Sequence, residues 1–246
     1  MMMLATMFVL GLLLGFAGGG GSGFVLALLI SVFQIPIHTA LGTSTTAMIF
    51  TVISGSISHF KEGNIQLKTG AMVGAFGAVG AYLGTQVAAD LPETPLIIVS
   101  ALLLFVSSIL LFFRTKLSGS VKVEKVFSKK QYLLLAIGVG GSTGFLSGCF
   151  GIGSTPLIQL GLMIFFGLSI RQAAATSMFV LIPISFLGAF GFAQAGFIDI
   201  TLLVQVVAGT MIGSFIGAKF TRLAPVQVLR TVIILLPIFG GILLLT

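Results

Sequence analysis

The chain has 246 residues, 57% of them hydrophobic and 7% charged, with a net charge of +7 at pH 7 and a mean hydropathy of +1.23. Soluble domains carry about 25% charged residues, so this composition excludes a soluble fold and specifies a polytopic membrane protein. Nor is the basic excess a nucleic-acid footprint: six of the twelve Lys and Arg residues lie in one connector, the pattern that orients chains in a bilayer.

At about 20 residues per crossing, the length suits roughly eight to ten hydrophobic elements. The opening Met1-Met2-Met3-Leu4-Ala5-Thr6 lacks a basic n-region, so no cleavable signal peptide is expected. Residues 2–17 form the first apolar run, a glycine-rich break follows, and 24–33 form a second, shorter run. Gln34 to His38 is a loop. Residues 39–60 span, Lys61 to Asn64 turn, 68–88 span, Asp90 to Glu93 turn, and 95–113 span. Residues 114–131 are a polar connector with Arg114, Lys116, Lys122, Lys125, Lys129 and Lys130 against Glu124. Beyond it the order repeats: 132–147, a second break, 157–166, then spans at 172–193, 200–218 and 226–245. The expected division is a first membrane repeat over 1–113, a connector over 114–131 and a second membrane repeat over 132–246.

The repeat is carried by particular residues at a constant interval of 133. Gly15, Gly18 and Gly20 match Gly148, Gly151 and Gly153; Thr43-Ser44 match Thr176-Ser177; Gly55, Gly63, Gly80 and Gly84 match Gly188, Gly196, Gly213 and Gly217. Matching glycines and hydroxyls beside matching turns identify a duplication. Its parity follows from charge. If the two runs flanking each break form a hairpin, re-entrant or fully crossing, the halves are inverted. Lys61, Lys68, the connector, Arg171, Lys219 and Arg222 then fall on one side, and Asp90, Glu93 and Asp199 on the other. Basic connectors belong in the cytoplasm, which places both termini outside the cytoplasmic membrane. If each broken element crossed only once, this segregation would fail. The expected fold is therefore all-α, two inverted repeats, each a broken or re-entrant helical hairpin plus three spanning helices.

No acidic residue lies inside a span, which argues against a relay of buried carboxylates and against a metal-ion permease. What remains at depth is backbone amide and hydroxyl. Clustered glycine lets a helix stop and restart, and the restarting N-terminus presents unpaired N–H groups to an anion. Gly18, Gly20, Gly21, Ser22 and Gly23 form one such notch; Gly151, Gly153, Ser154 and Thr155 form the other, with Pro156 suited to a first helical turn. Two broken helices in matching positions of two halves point to a transporter's site. Thr43, Ser44, Thr176 and Ser177 add candidate hydroxyl donors, or else bond back to carbonyls of their own helices. The four-residue glycine spacings at Gly80–Gly84 and Gly209–Gly213–Gly217 read as helix contact. His38 and His59 are expected at the two interfaces of one span, and Cys149 as a small apolar filler that leaves no intramolecular disulfide.

Enzymatic motifs fail on their surroundings. Gly18-x-Gly20-x-x-Gly23 fits a dinucleotide fingerprint, but no strand precedes it, so no cofactor is expected. Gly20-Gly21-Ser22-Gly23 resembles a rhomboid-type nucleophile motif, yet neither histidine is placed to serve as its base. A membrane enzyme and an anion channel of the same architecture are the alternatives to a permease.

The ordered set Gly15-x-x-Gly18-x-Gly20-Gly21, Ala40-x-Gly42-Thr43-Ser44, Gly63 and Gly80-x-x-x-Gly84, with its second copy, resembles the sulfite exporter TauE/SafE family of permeases over nearly the whole chain. The second break departs from the usual pattern at Ser154-Thr155, and the first has no proline before its second helix. The resemblance implies transport, often outward, of sulfite or related sulfur-containing anions such as organosulfonates.

Overall fold

Hydrocarbon offers backbone N–H and C=O groups no partner, so an apolar run satisfies them internally as a helix. The computed structural model describes residues 2–17, 22–117, 128–151 and 155–245, and these form ten helices and no strand. They are α1 (Met2–Ala17), α2 (Ser22–Ser31), α3 (Ile37–Lys61), α4 (Leu67–Asp90), α5 (Glu93–Leu117), α6 (Lys129–Phe150), α7 (Thr155–Phe165), α8 (Ile170–Gln194), α9 (Ile200–Leu223) and α10 (Val226–Leu245). Seven of them, α3 to α6 and α8 to α10, are long and apolar enough to cross a membrane. The boundaries keep the interval of the sequence: α3 and α8 start at Ile37 and Ile170 and end at Lys61 and Gln194, each pair 133 residues apart.

Several helices extend beyond the apolar runs. α6 begins at Lys129 because Ser128 and Gln131 close a capping box, the Gln131 N–H donating to Ser128 Oγ and the Ser128 N–H to Gln131 Oε1. Ser169 and Gln172 do the same for α8. α5 continues through Arg114 to Leu117 and α9 through Lys219 to Leu223, so part of the basic connector is helix. Long cationic side chains permit this, since their stems lie along apolar surface while the charge reaches water.

The two seams that hold the bundle together are made of glycine. On α4 and α6, a Cβ at Gly144 would meet the Cα of Gly77 at 2.6 Å, and one at Gly148 the Cα of Ala81 at 2.9 Å. On α1 and α9, a Cβ at Gly15 would meet the Cα of Ser214 at 2.7 Å, and one at Gly213 the amide nitrogen of Leu12 at 2.8 Å. Backbone therefore lies directly on backbone, which gains dispersion where lipid supplies no hydrophobic drive. The glycines of both four-residue spacings are helix contacts.

Residue pairings give the direction of each helix. α3 and α9 run parallel, with Gly42 against Phe197, Thr51 Oγ1 donating to Thr210 Oγ1 (3.0 Å) and Gly55 against Ser214. α4 runs parallel to α8, because Gln66 and Gly74 face Thr176 and Pro183. α3 and α8 run antiparallel: Gly188 meets Thr45 while Gly55 meets Met178. α5 and α10 are antiparallel too, with Ser108 Oγ donating to the Ile234 carbonyl and Gly240 against Leu104. These directions gather Lys61, Lys68, Lys129, Arg171 and Lys219 at one end of the bundle, and Asp90, Glu93 and Asp199 at the other.

A pair of matched hydrogen bonds ties the first part of the chain to the second. The N–H of Gln66, which caps α4, donates to Thr176 Oγ1 on α8 at 3.0 Å. The N–H of Asp199, which caps α9, donates to Thr43 Oγ1 on α3 at 3.4 Å. Thr43→Val and Thr176→Val are each expected to lower stability by roughly 1–3 kcal/mol, since each leaves a helix-start amide unpaired. The two sites are at opposite ends of the bundle, so the double variant should show the sum in thermal unfolding of the purified protein.

Candidate functional site

α1 stops at Ala17 and α2 starts at Ser22; α6 stops at Phe150 and α7 starts at Thr155. The end of α6 thus falls at the second glycine cluster, and the first cluster lies between the described parts of α1 and α2. Gly18, Gly20, Gly21, Gly153 and Ser154 lie outside the described residues, as does the side chain of Ser22. Gly23 is buried in the first turn of α2.

The described part of the second break is well defined. Gly151 ends α6 in the left-handed region (φ 58°), its N–H donating to the Ser147 carbonyl at 2.9 Å. Glycine adopts that conformation without the clash that costs other residues about 1–2 kcal/mol. Ser100 Oγ on α5 donates to the Phe150 carbonyl at 3.3 Å, supplying a partner to one of the orphan carbonyls at the end of α6. On its open side Gly151 faces Leu26 of α2 and Leu41 of α3, so the second break rests on helices from the first part of the chain. Phe16, next to the first glycine cluster, packs against the core cluster of Ala174, Leu229, Ile233 and Ile234.

At the start of α7, Thr155 is 4% exposed and its hydroxyl has no hydrogen-bond partner. Pro156 follows inside the first turn, where its missing N–H removes no helical bond. One turn further, Gln159 is buried and its Nε2 donates to Ser177 Oγ at 3.4 Å. Ser177 Oγ donates to the Ala174 carbonyl at 2.8 Å, and Ser44 Oγ to the Leu41 carbonyl at 3.2 Å. Both serines back-bond within their own helices, and Thr43 and Thr176 accept the helix-start amides described above. The four hydroxyls predicted from sequence therefore all have protein partners already in place.

Two features of the site escaped the sequence. Gln159 is an amide on an otherwise apolar ten-residue run, and that isolation was its signal. His59 is expected at the interface, but its ring is 0% exposed and neither nitrogen makes a well-formed hydrogen bond. α3 continues past it to Lys61, and the ring turns inward to lie beside the Gly15 backbone, just before the first break. Thr45 Oγ1 and Ser56 Oγ are likewise buried without a partner. At 3.6 residues per turn, Leu41, Thr45, Ser56 and His59 fall on one face of α3. That face touches Gly151 at one end and Gly15 at the other. Leaving a buried polar group unpaired costs roughly 1–3 kcal/mol, so a stripe of them is expensive unless something binds there. His38, by contrast, sits at the interface, its Nδ1 3.8 Å from Glu93 Oε1 and its Nε2 3.2 Å from the Leu91 carbonyl oxygen. Cys149 is a buried free thiol within the hydrophobic core, and its backbone amide lies against Gly84. Among the described residues no cluster of His, Cys, Asp and Glu could hold a metal ion.

Comparison with known proteins agrees with this architecture. A family model described as "Sulfite exporter TauE/SafE" matches residues 3–244. The chain is 47% identical to the "Probable membrane transporter protein YdhB" of Bacillus subtilis (strain 168), over the whole of both chains. It is 25% identical to the "Probable membrane transporter protein YunE" of the same organism, covering 93% of each, and 28% identical to the "Probable membrane transporter protein ORF9" of Sinorhizobium sp, covering 99% of this chain and 92% of that one. No solved structure matches. An all-helical bundle with seven helices long and apolar enough to span, the family match and these relatives make the chain a multi-pass membrane transporter rather than an enzyme, and it belongs to the TauE/SafE sulfite exporter family.

Proposed function

We propose that the protein moves a small sulfur-containing oxyanion, such as sulfite or an organosulfonate, outward across the cytoplasmic membrane. The anion is held between the N-termini of α2 and α7, by the amides of Gly18, Gly20, Gly21, Ser22 and Gly23 on one side and of Gly151, Gly153, Ser154 and Thr155 on the other. Thr43, Ser44, Thr176 and Ser177 steady the walls. The observation that carries this reading is the buried, unpartnered Thr155 hydroxyl at the first position of α7, where the helix dipole and free N–H groups favour negative charge.

The two repeats, 1–113 and 132–246, are read as inverted about an axis in the membrane plane. Support comes from matched helices that run in opposite directions, α3 against α8 and α5 against α10. The basic end of the bundle, with the connector 114–131, faces the cytoplasm, and both termini face outward.

The test is flux of 35S-sulfite in proteoliposomes. Saturable flux with counterflow is expected from the unaltered protein. Thr155→Val should raise the half-saturating concentration about tenfold, the equivalent of 1.4 kcal/mol, without abolishing flux, because many amides share the anion. Absence of flux above empty vesicles for sulfite, thiosulfate and isethionate alike would refute the proposal.

A further inference from the structure

We propose that this transporter moves a proton together with its anion, and that His59 is the group that carries the proton. The inference rests on the anion-permease reading above and adds the coupling that the breaks alone do not supply.

Three observations converge on His59. Its ring is fully buried, and neither nitrogen makes a well-formed hydrogen bond, the Gly15 backbone being its polar neighbour. It lies beside the Gly15 backbone at the approach to the first break, on the α3 face that also bears the unpartnered hydroxyls of Thr45 and Ser56 and that reaches Gly151 of the second break. Finally, the position 133 residues on is Phe192, also fully buried. The fold thus fills the matching place of the other half with an apolar ring, so packing alone does not call for imidazole here. An apolar ring would avoid the desolvation of two polar nitrogens.

The surroundings decide when His59 can hold a charge. α3 packs against α1, α2, α5, α8 and α9. α1 and α2 carry no ionisable side chain, α8 carries Arg171, and α9 carries Lys219 and Arg222. α5 carries Glu93 at the far end and Arg114 and Lys116 at the near one; Asp199, capping α9, is at the far end with His38. On α3 itself Lys61 follows, and Glu62 in the next turn accepts from Asn64 Nδ2 at 3.1 Å. No carboxylate among the described residues pairs with the His59 ring, and cations dominate its end of the bundle. An imidazolium at this place therefore gains its counter-charge from the transported anion. Proton and anion favour each other's binding by the same factor, as linkage requires. The proton adds to the ring nitrogen that lacks hydrogen when the anion loads, and returns to water when the anion leaves.

The experiment uses the full chain in proteoliposomes, with the potential clamped by potassium and valinomycin, and 35S-sulfite as probe. The unaltered protein should accumulate sulfite above equilibrium when a proton gradient is imposed, acidic on the side from which sulfite enters. His59→Phe, which copies the matching position 192, and His59→Gln should elute as folded protein and exchange sulfite at equal pH with a half-saturating concentration raised several-fold, since the imidazolium no longer faces the anion. Both should lose the gradient-driven accumulation at least tenfold. Accumulation that persists in His59→Phe would overturn the proposal and assign the proton to sulfite itself. Loss of exchange together with accumulation in folded His59→Gln would also overturn it, making His59 an anion ligand. Absence of any flux from the unaltered protein would instead overturn the permease reading.

Discussion

Gly144→Val is expected to leave almost no folded protein after extraction from the membrane. A Cβ at this position would overlap the Gly77 carbonyl and stand 2.6 Å from the Gly77 Cα. Both are backbone atoms inside helices, so no side chain can swing aside and the whole of α4 must retreat from α6. Overpacking a well-filled core costs about 1–3 kcal/mol where side chains can shift, and the cost here exceeds that because helices must part. Valine adds two methyl groups to the clash and is stiff at χ1. The seam runs on at Gly148 against Ala81 and at Gly84 against the Cys149 amide (2.7 Å), so retreat at Gly144 loosens neighbouring contacts as well. Gly138→Ala on the same helix is the control. Nothing lies within 4 Å of its Cβ site, and alanine favours helix over glycine by about 1 kcal/mol. Monodisperse yield by fluorescence-detected chromatography should separate the two variants by tenfold or more. Equal yields would mean that the glycine seam does not hold the bundle.

Gly151→Ala is expected to remove sulfite flux by tenfold or more while the protein remains folded. Its positive φ carries a strain of about 1–2 kcal/mol for an L side chain, which a folded bundle can absorb. The new methyl group, however, overlaps Leu41 Cδ2, and Leu41 is itself fully buried. Either Leu41 moves into the face that links the two breaks, or Gly151 moves and carries the start of α7 with it. A displacement of about 1 Å in a binding site is enough to cost a hundredfold in function. Combining Gly151→Ala with Leu41→Ala should restore part of the flux, since the second change opens the space the first one needs. The non-additivity of the pair is the diagnostic quantity. Flux in Gly151→Ala equal to that of the unaltered protein would show that the geometry of this cap does not matter to transport.

Much of the helix order was legible in the sequence because glycine and hydroxyl residues recur at one interval, and the glycine spacings named the seams correctly. Helix ends were less legible. Arg114 to Leu117 and Lys219 to Leu223 look like connector by polarity, yet cations whose stems cover apolar surface continue a helix as readily as they end one. The inward face of each helix was the least legible property. In a soluble protein a polar face marks the outside, but Leu, Val and Phe line both the lipid surface and the interior here, as exposed Phe186 and buried Phe192 on one helix illustrate. His59 was misplaced for that reason: its position near a span end suggested an interface, while its direction depended on α1 arriving beside it. The partners of Thr43 and Thr176 were hidden for a related reason. Each sits in the opposite half of the chain, and no local pattern marks Asp199 or Gln66 as the donor.

The exchange of contacts at the glycine seams makes the two parts of the chain depend on each other. α1 lies on α9 and α4 on α6, so each half finishes its interior with a helix borrowed from the other. Either part folded alone would leave bare backbone along its glycine seam, so the two are expected to mature together or not at all.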